Sequence, residues 1–215
     1  MPLPILVVGG IKGGGGKTTI ASNLTAIRAI EDKKRVLLVD ADEQRSAIDW
    51  VEHRESFGIQ TPWTTISLIG ASVRTQVLKM APDYDDVIID TGGRDTTSQR
   101  SAMTIADMFL APFQPRSFDV WTIDKVCCLI HEIRTVNQKL KAFTVINRRD
   151  AQGTDNETAA EILSESKDVT YLNTSIGQRK AFANAAAEGL SVIELKIQDK
   201  KAIYEIRKLY QALFL

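Results

Sequence analysis

The chain has 215 residues, 44% of them hydrophobic and 25% charged, which is enough apolar material for one α/β domain with a large core. Its 27 basic and 27 acidic residues cancel, so a globally basic nucleic-acid binder is excluded and any such contact must be a local patch. The only cysteines, Cys127 and Cys128, are adjacent and cannot build a disulfide framework, which fits a reducing cytosol, and no stretch reads as a signal peptide or reaches transmembrane length.

In chain order, short apolar runs alternate with amphipathic ones. Strands are predicted at 5–8, 36–39, 87–89, 108–111 and 142–146, with weaker ones at 65–68 and 170–172. Helices are predicted at 18–31, 46–54, 73–80, 98–106, 120–137, 157–165, 179–188 and 199–213. No linker or internal repeat divides the chain, so residues 1–215 read as a single domain. Near-continuously apolar strands separated by helices imply a mostly parallel, twisted sheet covered on both faces. In such sheets ligands sit beyond the carboxyl ends of the strands, so those ends are where chemistry is sought.

The first strand end carries Lys12-Gly13-Gly14-Gly15-Gly16-Lys17-Thr18-Thr19, followed by a helix. A strand opening through glycines into a helix wraps backbone N–H groups around a phosphate chain, and glycine lets the backbone approach without a Cβ. Lys17 is placed to reach the β/γ-phosphates and Thr18 to bind Mg²⁺. The general pattern G-x-x-x-x-G-K-[ST] is not met, because Ile11 takes its first glycine position. The chain reads K-G-G-x-x-K-[ST] instead, with the extra Lys12 five residues before Lys17. The second strand ends in Asp40-Ala41-Asp42 and the third in Asp90. A carboxylate at the rim beside a phosphate loop suits a magnesium-bound water.

The Lys12–Thr19 stretch is a deviant Walker A motif, and the chain resembles the ParA/MinD superfamily of P-loop ATPases. The segment from Arg35 to Ser46 is similar to the family's Walker A′, with Glu43 where proline is usual. Tyr84-Asp-Asp-Val-Ile-Ile-Asp90-Thr91 resembles its Walker B strand, but Gly92-Gly93-Arg94-Asp95 follows where two prolines are common. The loop from Ala111 to Asp119, including Pro115, the strand end Asn147-Arg148 and the late segment 175–192 also match in order. No helix-turn-helix extension precedes the phosphate loop, so the likeness is to the small, ParF-like plasmid-partition type.

That resemblance implies ATP and Mg²⁺ as cofactors. It implies that Gly13, Gly14, Gly15, Gly16, Lys17, Thr18 and Thr19 hold the phosphates, that Asn147 reads the adenine edge, and that Arg148 and Pro115 flank the nucleotide. Thr18 and Asp90 serve the metal, with Asp40 supporting that shell, and Asp42 positions the attacking water. Lys12 reaches across a face-to-face homodimer to the partner's phosphates, so hydrolysis is coupled to dimerisation. The implied function is a cytoplasmic, nucleoid-associated ATPase for DNA segregation or cargo positioning. Its partners would be non-specific DNA and a small centromere-binding protein. Arg179, Lys180, Lys196, Lys200 and Lys201 are the candidate DNA contacts.

Two other readings stand beside this one. The last helix carries Ile203, Ile206, Tyr210, Leu213 and Phe214 at helical spacing, a stripe that a MinD-like membrane helix would show but that is read here as a packed terminal helix, because no polar spacer precedes it; a membrane partner is not expected. A metabolic P-loop enzyme of the dethiobiotin synthetase type would use a similar loop to phosphorylate a small substrate. His53 and His131 read as isolated, and Trp50, Trp63, Trp121 and the cysteine pair as packing residues.

Overall fold

Seven strands form one sheet in the order β3-β2-β4-β1-β5-β6-β7, and every pairing is parallel. The computed structural model describes residues 4–116 and 121–215. The strands are β1 (Ile5–Val8), β2 (Val36–Ala41), β3 (Thr64–Ser67), β4 (Asp86–Thr91), β5 (Met108–Phe113), β6 (Lys141–Ile146) and β7 (Thr170–Tyr171). Among the described residues the α-helices are α1 (Lys17–Ala26), α2 (Ser46–Ser56), α3 (Ser72–Met80), α4 (Thr97–Met103), α5 (Ile123–Arg134), α6 (Asp155–Glu165), α7 (Lys180–Ala187) and α8 (Lys200–Phe214).

The alternation of β1 explains the layering. Leu6 and Val8 point into one apolar cluster, Ile5 and Val7 into the other, so a strand buried on both faces needs no polar residue. The first cluster gathers α1, α2, α7 and α8; the second gathers α3 to α6. In α8, Ala202, Ile203, Ile206, Leu209, Tyr210 and Leu213 all lie in the first cluster. Each buried Ile or Leu contributes roughly 1.5–3 kcal/mol, so this stripe is committed to the core rather than left for a bilayer. Among the described residues, no helix is long and apolar enough to cross a membrane.

Several elements differ from the sequence reading. The first helix gives way to a π turn at Ile27–Glu31. There Arg28 donates to the fully buried Asp86 at 2.8 Å through Nε and 2.5 Å through Nη2, and to Tyr210 at 3.0 Å. The helix read at 120–137 spans Ile123–Arg134, and its first predicted residue, Val120, lies outside the described residues with Ser117 to Asp119. Trp50 and Trp63 do pack, stacked with ring centroids 5.3 Å apart, but Trp121 is 63% exposed and Cys128 is exposed, against expectation. His131 is not isolated: its Nε2 lies 2.7 Å from Asp168.

Candidate nucleotide site

The sheet order puts β1 between β4 and β5, so the carboxyl ends of β1, β2 and β4 converge. Register pairs Val8 with Asp90 and Asp90 with Asp40, which sets both carboxylates level with the start of the phosphate loop. The loop then turns through Gly14 and Gly16, whose φ values of 82° and 85° lie in the left-handed region open to glycine. At Gly16 a Cβ would also fall 2.0 Å from the Asn147 amide nitrogen. At Gly15 it would meet the Pro112 carbonyl oxygen at 2.9 Å.

These residues floor a polar cavity of about 650 Å³, within the range of small-molecule sites. Its lining includes Gly13, Gly14, Gly16, Lys17, Thr18, Thr19, Asp42, Arg94 and Arg148. Lys17 is 7% exposed, and its Nζ donates to the Lys12 carbonyl at 3.1 Å. Burial lowers its pKa, while Asp90 and Asp42 oppose that shift. Lys12 itself is exposed, and among the described residues it lies outside the lining of this cavity.

The two buried carboxylates have opposite surroundings. Asp40 accepts three backbone N–H groups, from Asp42 at 3.0 Å, Ala47 at 2.8 Å and Ile48 at 3.0 Å. It thus caps α2 in place of Arg45, which precedes the helix with φ of 54° and no capping side-chain bond. Asp90 is fully buried, and burial pushes its pKa up to about 8. Thr18 and Lys17 draw it back somewhat, yet neither Asp90 oxygen closes a hydrogen bond of good geometry. Two orphaned carboxylate oxygens beside a threonine hydroxyl and a phosphate loop are what a magnesium ion or its bound water would satisfy. Among the described residues no group of three His, Cys, Asp or Glu could hold a metal ion.

A second recess opens beside Thr19, lined by Asn147, Arg148, Gly177, Gln178, Arg179 and Phe182. Arg148 borders both spaces, held at φ of 57°. The Asn147 amide is 5% exposed and donates to the Gly15 carbonyl at 2.7 Å, so it ties β6 to the phosphate loop. Pro115 is buried and borders neither space. Arg179 donates to Glu205 at 2.8 and 2.5 Å, which separates it from the exposed Lys180, Lys196, Lys200 and Lys201.

Sequence reasoning missed two glutamines. Gln99 Oε1 accepts from Gly10 N at 2.8 Å and Thr91 Oγ1 at 2.9 Å, joining α4 to the loop. Gln114 Nε2 donates to the Gly14 carbonyl at 2.9 Å. Gln114 follows β5 directly, so the strand-end rule could have found it; Gln99 sits within a helix and carried no such signal.

Comparison with known proteins agrees with this geometry. Residues 6–192 match the family described as the CobQ/CobB/MinD/ParA nucleotide binding domain. The chain is 32% identical over 207 residues to the maintenance of carboxysome distribution protein A of Halothiobacillus neapolitanus, covering 95% of this chain and 93% of that one. An ATP complex of a McdA variant from Cyanothece superposes with a TM-score of 0.82 at 16% identity, over 99% of this chain and 96% of that one. A Borrelia burgdorferi protein described as a plasmid partition protein, bound to AMPPNP, gives 0.75 at 21%, over 98% of both chains.

Proposed function

The chain belongs to the CobQ/CobB/MinD/ParA nucleotide-binding family, and from that membership we propose that it is a Mg²⁺-dependent ATPase that dimerises on ATP and positions a cargo, plasmid or protein body, over nucleoid DNA. The observation that carries this reading is the polar cavity at the ends of β1, β2 and β4, lined by Lys17, Thr18 and Asp42 beside the buried, orphaned oxygens of Asp90. In this reading the exposed Lys12 contributes its charge to a triphosphate held by a second copy. ATP then bridges two loops that would otherwise repel, and acts as a dimerisation switch.

Within one subunit the amides of residues 14–19 cradle the phosphates, and Lys17 exchanges the Lys12 carbonyl for a phosphate oxygen. Asp90 and Thr18 would hold Mg²⁺, which would supply charge neutralisation at the phosphates. Asp40 fixes the loop that presents Asp42, and Asp42 orients the attacking water. Asn147 and Arg148 border the base, and the DNA-facing lysines are Lys180, Lys196, Lys200 and Lys201.

Light scattering with and without Mg·ATP tests this directly. The protein should double in mass with Mg·ATP, its turnover per molecule should fall on dilution, and Asp42→Ala should stay doubled. A lone subunit whose turnover ignores dilution would overturn the reading, and a phosphorylated small-molecule product would point to the metabolic alternative.

A further inference from the structure

We propose that Arg94 is a further residue of the phosphate site, its guanidinium bonding the terminal phosphoryl group of the nucleotide held by its own subunit. This rests on the nucleotide reading above and adds a residue to it. Arg94 follows the end of β4 by three positions, is exposed, and lines the same cavity as Lys17, Thr18 and Asp42. The neighbouring arginine is engaged: Arg100 binds Asp95 at 2.7 and 2.6 Å and Glu132 at 2.5 Å. Arg94 has no ion pair among the described residues.

The backbone beneath it is fixed against the phosphate loop. A Cβ on Gly93 would lie 2.5 Å from Gly13 Cα and 2.7 Å from Gly13 N, and one on Gly92 would lie 3.0 Å from Asp42 Oδ1. Two glycines are therefore what allows this turn to press against Gly13 and Asp42. Downstream, the Arg100–Asp95 pair and the Thr96 cap, which accepts from Gln99 N at 3.2 Å, hold the other side of the turn. Arg94 thus follows a backbone pressed against Gly13 and Asp42, and it lines the cavity of Lys17 and Thr18 but not the recess of Asn147 and Gln178.

Arg94 thus joins Lys17 and Arg148 as a cation of this lining, which also carries the carboxylates Asp42 and Glu43. A planar guanidinium there can make two charge-assisted bonds to phosphoryl oxygens. In hydrolysis the water oxygen forms a bond to the γ-phosphorus as the bond to the β–γ bridging oxygen breaks. ADP leaves and the water's protons pass to phosphate and solvent. Arg94 gives no atom to that balance; it stabilises charge on the moving group.

The test compares wild type with Arg94→Ala and Arg94→Lys, measuring steady-state ATP turnover and the affinities for fluorescent ADP and a slowly hydrolysed ATP analogue. Because ADP lacks the group Arg94 holds, Arg94→Ala should bind ADP as wild type does, lose ATP-over-ADP preference, and turn over about 10- to 100-fold more slowly. Arg94→Lys should recover part of the preference. An exposed side chain leaves folding intact, which circular dichroism checks. Turnover and preference within twofold of wild type in Arg94→Ala would overturn the assignment alone; a wild type that binds no Mg·ATP would overturn the nucleotide reading with it. Activity restored by mixing Arg94→Ala with Lys17→Ala subunits would move the guanidinium to the partner and overturn the same-subunit placement.

Discussion

Asp40 and Asp90 sit level on neighbouring strands, both with no exposed surface, and their difference shows how surroundings assign work to a residue type. Asp40 satisfies the backbone of a loop; Asp90 is left with two orphaned oxygens. Holding Asp90 empty of metal is unfavourable once it ionises. Its pKa rises from 3.8 to about 8 on folding, so the unfolded chain releases its proton first. Stability of the metal-free protein should therefore be full below pH 4 and fall progressively as pH rises towards 8, as far as this group is concerned. Asp90→Asn should remove that slope and raise the melting temperature at pH 8 in chelator, while abolishing Mg²⁺-dependent turnover. A thermal melt series across pH checks it; an unchanged slope would mean Asp90 is not the buried charge described.

At the scale of elements, α8 shows a stripe legible in sequence whose use was not. Spacing of Ile203, Ile206, Tyr210 and Leu213 predicts one apolar face, but only packing against the first core cluster decides between membrane and interior. Its start is set by Asp199, whose carboxylate accepts from Lys201 N at 3.0 Å and Ala202 N at 3.1 Å. Asp199→Ala should lower stability by about 1 kcal/mol, or roughly 2–4 °C in melting temperature, with ATP turnover unchanged. The π turn after α1 gave no sequence signal, because the Arg28–Asp86 pair that accompanies it joins residues 58 positions apart.

For the whole molecule, the sheet order matters most, since it gathers β1, β2 and β4 at one crevice, with Lys12 exposed and outside the lining of its cavity. If Lys12 serves a second copy, Lys12→Ala should bind ATP within a few-fold of wild type yet stay at monomer mass with turnover reduced about 100-fold or more. Light scattering with Mg·ATP and steady-state kinetics read both effects. Retained dimerisation and turnover in that variant would refute the trans role.

The parallel α/β class, the phosphate loop and the carboxylates at the strand ends were legible along the chain, because hydrophobic period and glycine at positive φ are local requirements. It took the folded arrangement to show that Asp40 caps a helix while the Asp90 oxygens lack a well-formed hydrogen bond, that Arg179 belongs to Glu205, and that Gly92 and Gly93 press against Asp42 and Gly13. Those outcomes depend on which distant groups arrive within hydrogen-bond or van der Waals reach, and no spacing along a chain carries that information.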